Sequence, residues 1–516
     1  MHRLTVPHRF LWIPIQTAGE QKRIELFDES GKKRFSFLVP ILPSEKQPSQ
    51  PDFYGSLPVP DDCRTLNLEG DVPEAWIFLI QSRPDMPNPV EEPRPYIHFA
   101  PVSGWLNDPN GLIYSDGVFH LYFQANPFHT EWENMHWGHA ISYDLLHWEQ
   151  KEPVLFPDET GAMFSGSAIQ DHANDAGYGD GSLLYFYTAA GNTSEWSQGK
   201  PYVQMLATSG DGGNVLQKTG LVLLSCLTEG NRDPKVFYHA PSNGYVMILY
   251  LSQNDFGIFH SQDLRQWVQT QTLTLPGAWE CPDLFFLPLD GSLENGKWVF
   301  WSADGFYYIG SFNGYAFTPE LTRKNAYLGH LPYAAQTYAG MGNRVISIAW
   351  LRTKNQNRTY RGIMSLPSEL SLLSSTEGPV LSLSLPKEIT GQRILQSTKE
   401  LPSGRLHLEP AKEPAEYLFS IPRTTGYFSI TMQNKSVLLD FYQNILQTGE
   451  ISVPLPHTDF IDLSIIADTG ILELRACRNT LYDAVETPVN CNMPLFLEMG
   501  GAGTFLHIFH YPAKER

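Results

Sequence analysis

Positive charge is scarce in this 516-residue chain: 36 Lys and Arg stand against 55 Asp and Glu, a net charge of −19. No basic patch is visible, which excludes nucleic acid and an anionic membrane surface as expected partners. Cysteine is thin too. Cys63, Cys226, Cys281, Cys477 and Cys491 are scattered, odd in number and without metal-type spacing, which favours a reducing compartment over a disulfide framework. Nowhere do eighteen apolar residues run together, and the first nine residues lead into no apolar segment adequate for a secretion signal. A cytoplasmic protein is therefore expected, or a secreted one if a leader has been removed. No glycine loop suited to phosphate is evident, and Asp211-Gly212-Gly213-Asn214 reads as a turn. His136-Trp137-Gly138-His139 lacks a carboxylate or third histidine at ligand spacing, so core hydrogen bonding is expected there and no metal. Between residues 95 and 385 no convincing amphipathic helix is found.

Aromatics, by contrast, reach 13%, and 41 Gly with 39 Pro accompany them. That combination predicts many short strands joined by tight turns, an all-β chain of two or three domains. Residues 1–92 form one unit, with strands expected at Phe10 to Ile15, Arg23 to Phe27, Arg34 to Val39 and Ala75 to Ile80, and a hairpin turn at residues 28–33. A small β-sandwich fits. The proline-rich residues 83–93 read as a stiff linker. From 95 to 385, Ser142-Tyr143-Asp144-Leu145-Leu146-His147-Trp148 recurs 119 positions later as Ser261-Gln262-Asp263-Leu264-Arg265-Gln266-Trp267. That is about two units of sixty residues, the size of a four-stranded propeller blade. Five openings are expected, near Trp105, Phe164, Arg232, Glu280 and Tyr333. Residues 390–516 alternate apolar and polar as a second two-sheet sandwich would.

Three carboxylates open blades in distinctive contexts: Asn107-Asp108-Pro109-Asn110-Gly111, Arg232-Asp233-Pro234-Lys235 and Trp279-Glu280-Cys281-Pro282-Asp283. Pro109 and Gly111 are turn-formers, so Asp108 is expected at a sharp corner rather than inside a strand. Inner strands of a propeller converge on one end of its channel, so the three acids should face one another across a funnel. Glycoside hydrolysis needs such a set, with one carboxylate ionised and one protonated. Trp279 and Cys281 suggest an apolar setting for Glu280, which suits a general acid, and Arg232 should keep Asp233 ionised. Asn107 could bond a sugar hydroxyl or orient Asp108.

With these motifs, and with Phe164-Ser165-Gly166-Ser167-Ala168, Tyr333-Ala334-Ala335-Gln336-Thr337 and Arg361-Gly362-Ile363-Met364-Ser365-Leu366-Pro367 in the same order, the chain resembles glycoside hydrolase family 32, the invertase and fructanase family. The resemblance covers residues 96–372 closely. It implies a five-bladed propeller followed by a β-sandwich, retention of anomeric configuration and no cofactor. Asp108 would be the nucleophile, Glu280 the general acid/base and Asp233 the transition-state stabiliser. Asn107, Gln124, Trp132, Phe164, Ser165, Arg232 and Trp350 match positions that line the family's fructose subsite. The N-terminal unit is absent from many invertases and could rim the funnel or support a homodimer.

The expected activity is release of terminal β-D-fructofuranosyl residues from sucrose, fructo-oligosaccharides, inulin or levan. A narrow funnel favours chain ends. Transfer of fructose to another sugar through the same intermediate is the alternative. A non-catalytic fructan-binding protein, or an enzyme of arabinose- or xylose-based glycans, ranks lower.

Overall fold

In a computed structural model, which describes residues 1–354, 357–409, 413–432, 435–488 and 494–512, the chain folds almost wholly into β-sheets. Cys491 lies outside the described residues. The architecture is a five-bladed propeller followed by a β-sandwich, with a small β unit in front.

The blades follow chain order. Gly104–Ser115, Val118–Asn126, His136–Ser142 and Trp148–Leu155 make the first; Ala162–Asp171 to Gln217–Leu224 the second; Arg232–His239 to Val268–Thr274 the third. Asp283–Leu289 opens the fourth and Pro332–Thr337 the fifth, and one parallel pair, Leu289 with Leu372, merges these two into a single larger sheet. All five inner strands begin where the sequence places the openings. Closure is made by Tyr360–Arg361, which returns to pair in parallel with Gly104 and Trp105.

The serine–aspartate repeat is a turn device between the third and fourth strands of a blade. Ser142 Oγ accepts from Leu145 N at 2.9 Å and Asp144 Oδ1 from His147 N at 2.8 Å. Ser261 and Asp263 repeat both bonds at the same lengths, to Leu264 and Gln266. A third, degenerate copy sits in the second blade, where Ser209 Oγ accepts from Gly213 N and donates to Asp211. The turn expected at residues 211–214 is this copy.

In the N-terminal unit two small sheets pack face to face, one with Lys33–Ile41 at its edge and one centred on Phe10–Ile15. Residues 75–80 depart from expectation: Glu74–Ile77 is a single helical turn that starts after Pro73. Only Trp76 of that apolar run is buried, and its Nε1 donates to Pro14 O, while Phe78 stays 77% exposed. A six-residue apolar run does not by itself distinguish strand from helix.

The last part stacks two six-stranded sheets over a shared apolar core. Its strand Ile471–Ala476 is buried along its whole length, so Glu473 and Arg475 break the apolar pattern for a reason. Both face the propeller, where Glu473 accepts from His98 and Leu366 N, and Arg475 donates to Leu383 O and Ser368.

Candidate active site

Four of the five inner strands slip register at their openings: between Leu106 and Pro109, Phe164 and Gly166, Arg232 and Lys235, and Tyr333 and Gln336. A bulge re-aims the side chains around it without ending the strand. Asp108 therefore does not sit at a corner as expected. It lies inside Gly104–Ser115, and Pro109 with left-handed Gly111 produce two bulges instead of a turn. Asp233 (φ 64°), Glu280 (φ 25°), Cys281 (φ 43°) and Ala334 (φ 51°) are non-glycine residues at positive φ. Strain of this kind persists where the surrounding packing over-determines it, as it does around a working site.

The bulges bring the three acids together. Cys281 Sγ is 3.5 Å from Oδ2 of Asp108 and 3.5 Å from Oδ2 of Asp233, and Cys281 N donates to Asp233 at 3.1 Å. Ser165 Oγ donates to Asp108 Oδ2 at 2.7 Å. Glu280 is held from two sides, by Arg232 Nη2 at 2.6 Å on Oε2 and by Tyr333 Oη at 2.5 Å on Oε1. Two expectations need correction here. Glu280, itself at positive φ, touches a guanidinium and a phenol rather than an apolar wall, since Arg232 and Tyr333 from two other blades reach its two oxygens. Arg232 comes closest to Glu280, with Asp233 at 3.7 Å.

Burial pushes the Asp233 carboxyl up to about 7; Arg232 opposes that, and the charges of Glu280 and Asp108 add to it. Asp108 moves in the same direction, through burial and then Glu280, against hydrogen bonds from Ser165, Asn107 and Cys281. Burial among three carboxylates keeps the Cys281 thiol protonated, a donor rather than a nucleophile. Burial and Glu280 likewise keep Tyr333 a phenol.

The other candidates surround this group. Asn107 Oδ1 accepts from Trp105 Nε1 at 2.7 Å. Trp132, 49% exposed, packs edge-on to Phe164 at 5.9 Å, and Phe164 continues to Tyr202. Trp350 stands between Trp105 and Tyr333 at 5.8 and 6.1 Å. Gln124 is only 2% exposed and donates to Met163 O; it reaches the acids through Asn110, whose amide joins Gln124 to Ser165 when its two ends are oriented to satisfy both neighbours. His136 and His139 are core groups, His139 stacked on Tyr122 and bonded to His120. Sequence reasoning did not place Tyr333 or Cys281 among the site residues. The available signal was their position, one at the opening of the fifth blade and one beside the acid of the fourth.

The site joins buried Asp233 and half-buried Asp108 through one thiol and gives a third acid both a cation and a phenol. A pocket that groups carboxyls with proton donors and aromatic walls suits acetal cleavage in a sugar. Comparison with known proteins agrees. The model of the glycosyl hydrolases family 32 N-terminal domain matches residues 98–382. The levanase of Bacillus subtilis (strain 168) is 35% identical over 320 residues, which cover 56% of this chain and 46% of the levanase. The extracellular exo-inulinase of Meyerozyma guilliermondii is 33% identical over 402 residues, 70% of this chain and 74% of the enzyme. The crystal structure of exo-inulinase from Aspergillus awamori superposes with a TM-score of 0.74 at 25% identity, covering 82% of this chain and 99% of that one. The chain thus matches less than half the length of the levanase and about three quarters of the exo-inulinase.

Proposed function

The chain belongs to glycosyl hydrolase family 32, and from that premise we propose that it is a retaining exo-β-fructosidase acting on the fructosyl ends of sucrose, fructo-oligosaccharides, inulin or levan. The observation that carries this reading is the three-acid group: Asp108 and Asp233 on either side of one thiol, with Glu280 gripped by Arg232 and Tyr333. The relatives named levanase and exo-inulinase support fructan ends as the substrate.

In this mechanism a carboxylate oxygen of Asp108 attacks the anomeric carbon of fructose while the Glu280 carboxyl protonates the departing glycosidic oxygen. A fructosyl ester on Asp108 results. Glu280, now a carboxylate, removes a proton from water, which attacks the same carbon and releases fructose with its configuration retained. Asp233 bonds the sugar hydroxyls and balances the charge of the oxocarbenium-like transition state. Arg232 and Tyr333 fix the direction from which the Glu280 proton is delivered. Ser165 and the Cys281 thiol orient Asp108, and Trp132, Phe164 and Trp350 form apolar walls for the ring.

The test is product analysis on sucrose, 1-kestose, inulin and levan beside Asp108→Asn and Glu280→Ala. Fructose should appear from chain ends, be abolished by Asp108→Asn and fall about 10³-fold or more in kcat with Glu280→Ala. Longer oligosaccharides in place of fructose would identify a transferase; binding without turnover would make the protein a fructan-binding module.

A further inference from the structure

The loop 127–135 connects the second and third strands of the first blade and carries Trp132 to the rim beside Phe164. Two of its other residues, Phe128 and Asn134, reach into the N-terminal unit. Phe128 is fully buried within that unit's apolar core and stacks on Phe37 at 4.3 Å. The Asn134 side chain docks on the edge strand Lys33–Ile41 as a strand neighbour would: Oδ1 accepts from Leu38 N at 2.8 Å and Nδ2 donates to Leu38 O at 2.9 Å. Gly55, in the opposite sheet, leaves room for the plug, since a methyl there would meet Pro127 O at 2.4 Å and the Phe128 ring at 2.7 Å. Asn134 holds φ 48°, a conformation Asn tolerates better than most residues. On the funnel side Glu131 pairs with Arg361 at 2.6 Å, and Arg361 lies over Trp105, whose indole holds Asn107.

We propose that the N-terminal unit is a buttress for substrate affinity: it grips the plug formed by Phe128 and Asn134 so that Trp132 stays fixed against Phe164 at the mouth of the site. The geometry supports this on three counts. The plug is held from both sheets, its contacts to Leu38 use backbone groups of an edge strand that would otherwise face solvent, and Trp132 lies only four positions after the core anchor Phe128. Asn134 and Phe128 are positioning residues and touch no reacting atom. A rim aromatic that is pre-ordered costs less to immobilise on binding, so the effect falls on affinity rather than on bond cleavage. The proposal rests on the fructosidase reading for its consequence in catalysis but not for the clamp itself.

Asn134→Gly keeps the positive φ and deletes the amide; Gly55→Ala wedges the plug from the other side. Hydrogen exchange of residues 127–135 in the full-length protein without substrate should speed up about ten-fold in both, with His136–Ser142 unchanged. On sucrose, KM should rise about three- to ten-fold with kcat within about two-fold of the parent. In a Trp132→Ala background, Asn134→Gly should add nothing further to KM. Unchanged loop exchange, a fall in kcat at constant KM, or full additivity with Trp132→Ala would each overturn the proposal. If the parent protein turned over no fructoside, the fructosidase reading would fail, and the exchange experiment would still decide the buttress.

Discussion

Arg232 grips Glu280, 48 positions along the chain, at 2.6 Å, while the carboxylate next to it in sequence is 3.7 Å away. The guanidinium thereby ties the opening of the third blade to that of the fourth, and Tyr333 of the fifth blade holds the opposite oxygen of the same carboxylate. Glu280 has its direction set by two blades other than its own.

Arg232→Gln removes the charge that keeps Asp233 from rising further, so the limb of the kcat/KM profile that reports Asp233 should move to higher pH. The same change releases Glu280, and kcat should fall about 10²-fold or more. Steady-state kinetics from pH 4 to 8 check both effects.

Tyr333→Phe deletes one hydrogen bond to Glu280 and leaves the ring between Trp350 and the Arg352 side chain. The loss should be specific to proton delivery, about 10- to 100-fold in kcat with KM little changed. A substrate with an activated leaving group, which needs less protonation, should recover most of it.

Asp233 is destabilising where it is charged. Its carboxyl has a pKa of about 7 in the fold against an ordinary 3.8, so the folded state holds the proton more tightly. Its favourable contribution is present below pH 3.8 and is lost as the pH rises through 7. Asp233→Asn should therefore abolish activity and raise the melting temperature at pH 8 by roughly 2–4 °C, a gain that disappears towards pH 4. Calorimetry at both pH values measures it.

His98 has the opposite place in the fold. It lies fully buried between Asp468 at 2.9 Å and Glu473 at 3.1 Å, where propeller and sandwich meet. Burial alone would lower its pKa, but the two carboxylates prevail and raise it from 6.5 to about 9. That linkage contributes about 3 kcal/mol, complete below pH 6.5 and lost as the pH rises through 9. His98→Gln leaves the buried Asp468 without its cation, while Glu473 keeps Arg475 at 2.8 Å, and should destabilise by about 3 kcal/mol at pH 7. Urea unfolding at pH 6, 7.5 and 9.5 should show the difference narrowing as the pH rises.

The legible part of this chain was its punctuation. Proline after Asp108, Asp233 and Glu280, with Gly111 beside the first, marked the irregular backbone of the blade openings, and the two full copies of the serine–aspartate turn revealed the period. The same signals misled at close range. Pro109 and Gly111 produced bulges within a strand where a corner was expected, because a ladder with Val118–Asn126 continues on both sides and recovers the pairing that a corner would forfeit. The run from Ala75 to Ile80 became a helical turn that buries Trp76 fully and packs Ile77 and Ile80 against the core, leaving Phe78 exposed. Glu473 and Arg475 are charged residues in a buried sandwich strand, and their partners, His98 and the propeller's backbone, lie far away in the sequence.

The sequence by itself determined the all-β class, the five blade openings and which three acids stand at them, since strand periodicity and turn chemistry are local properties of the chain. Only the tertiary structure decided which acid Arg232 holds, that burial raises the Asp108 and Asp233 carboxyls, and that Phe128 of the propeller completes the core of the N-terminal unit. The physical reason is that backbone bulges set the direction of each side chain, while desolvation and charge are fixed by groups tens to hundreds of residues away, and neither is encoded in a residue's neighbours along the chain.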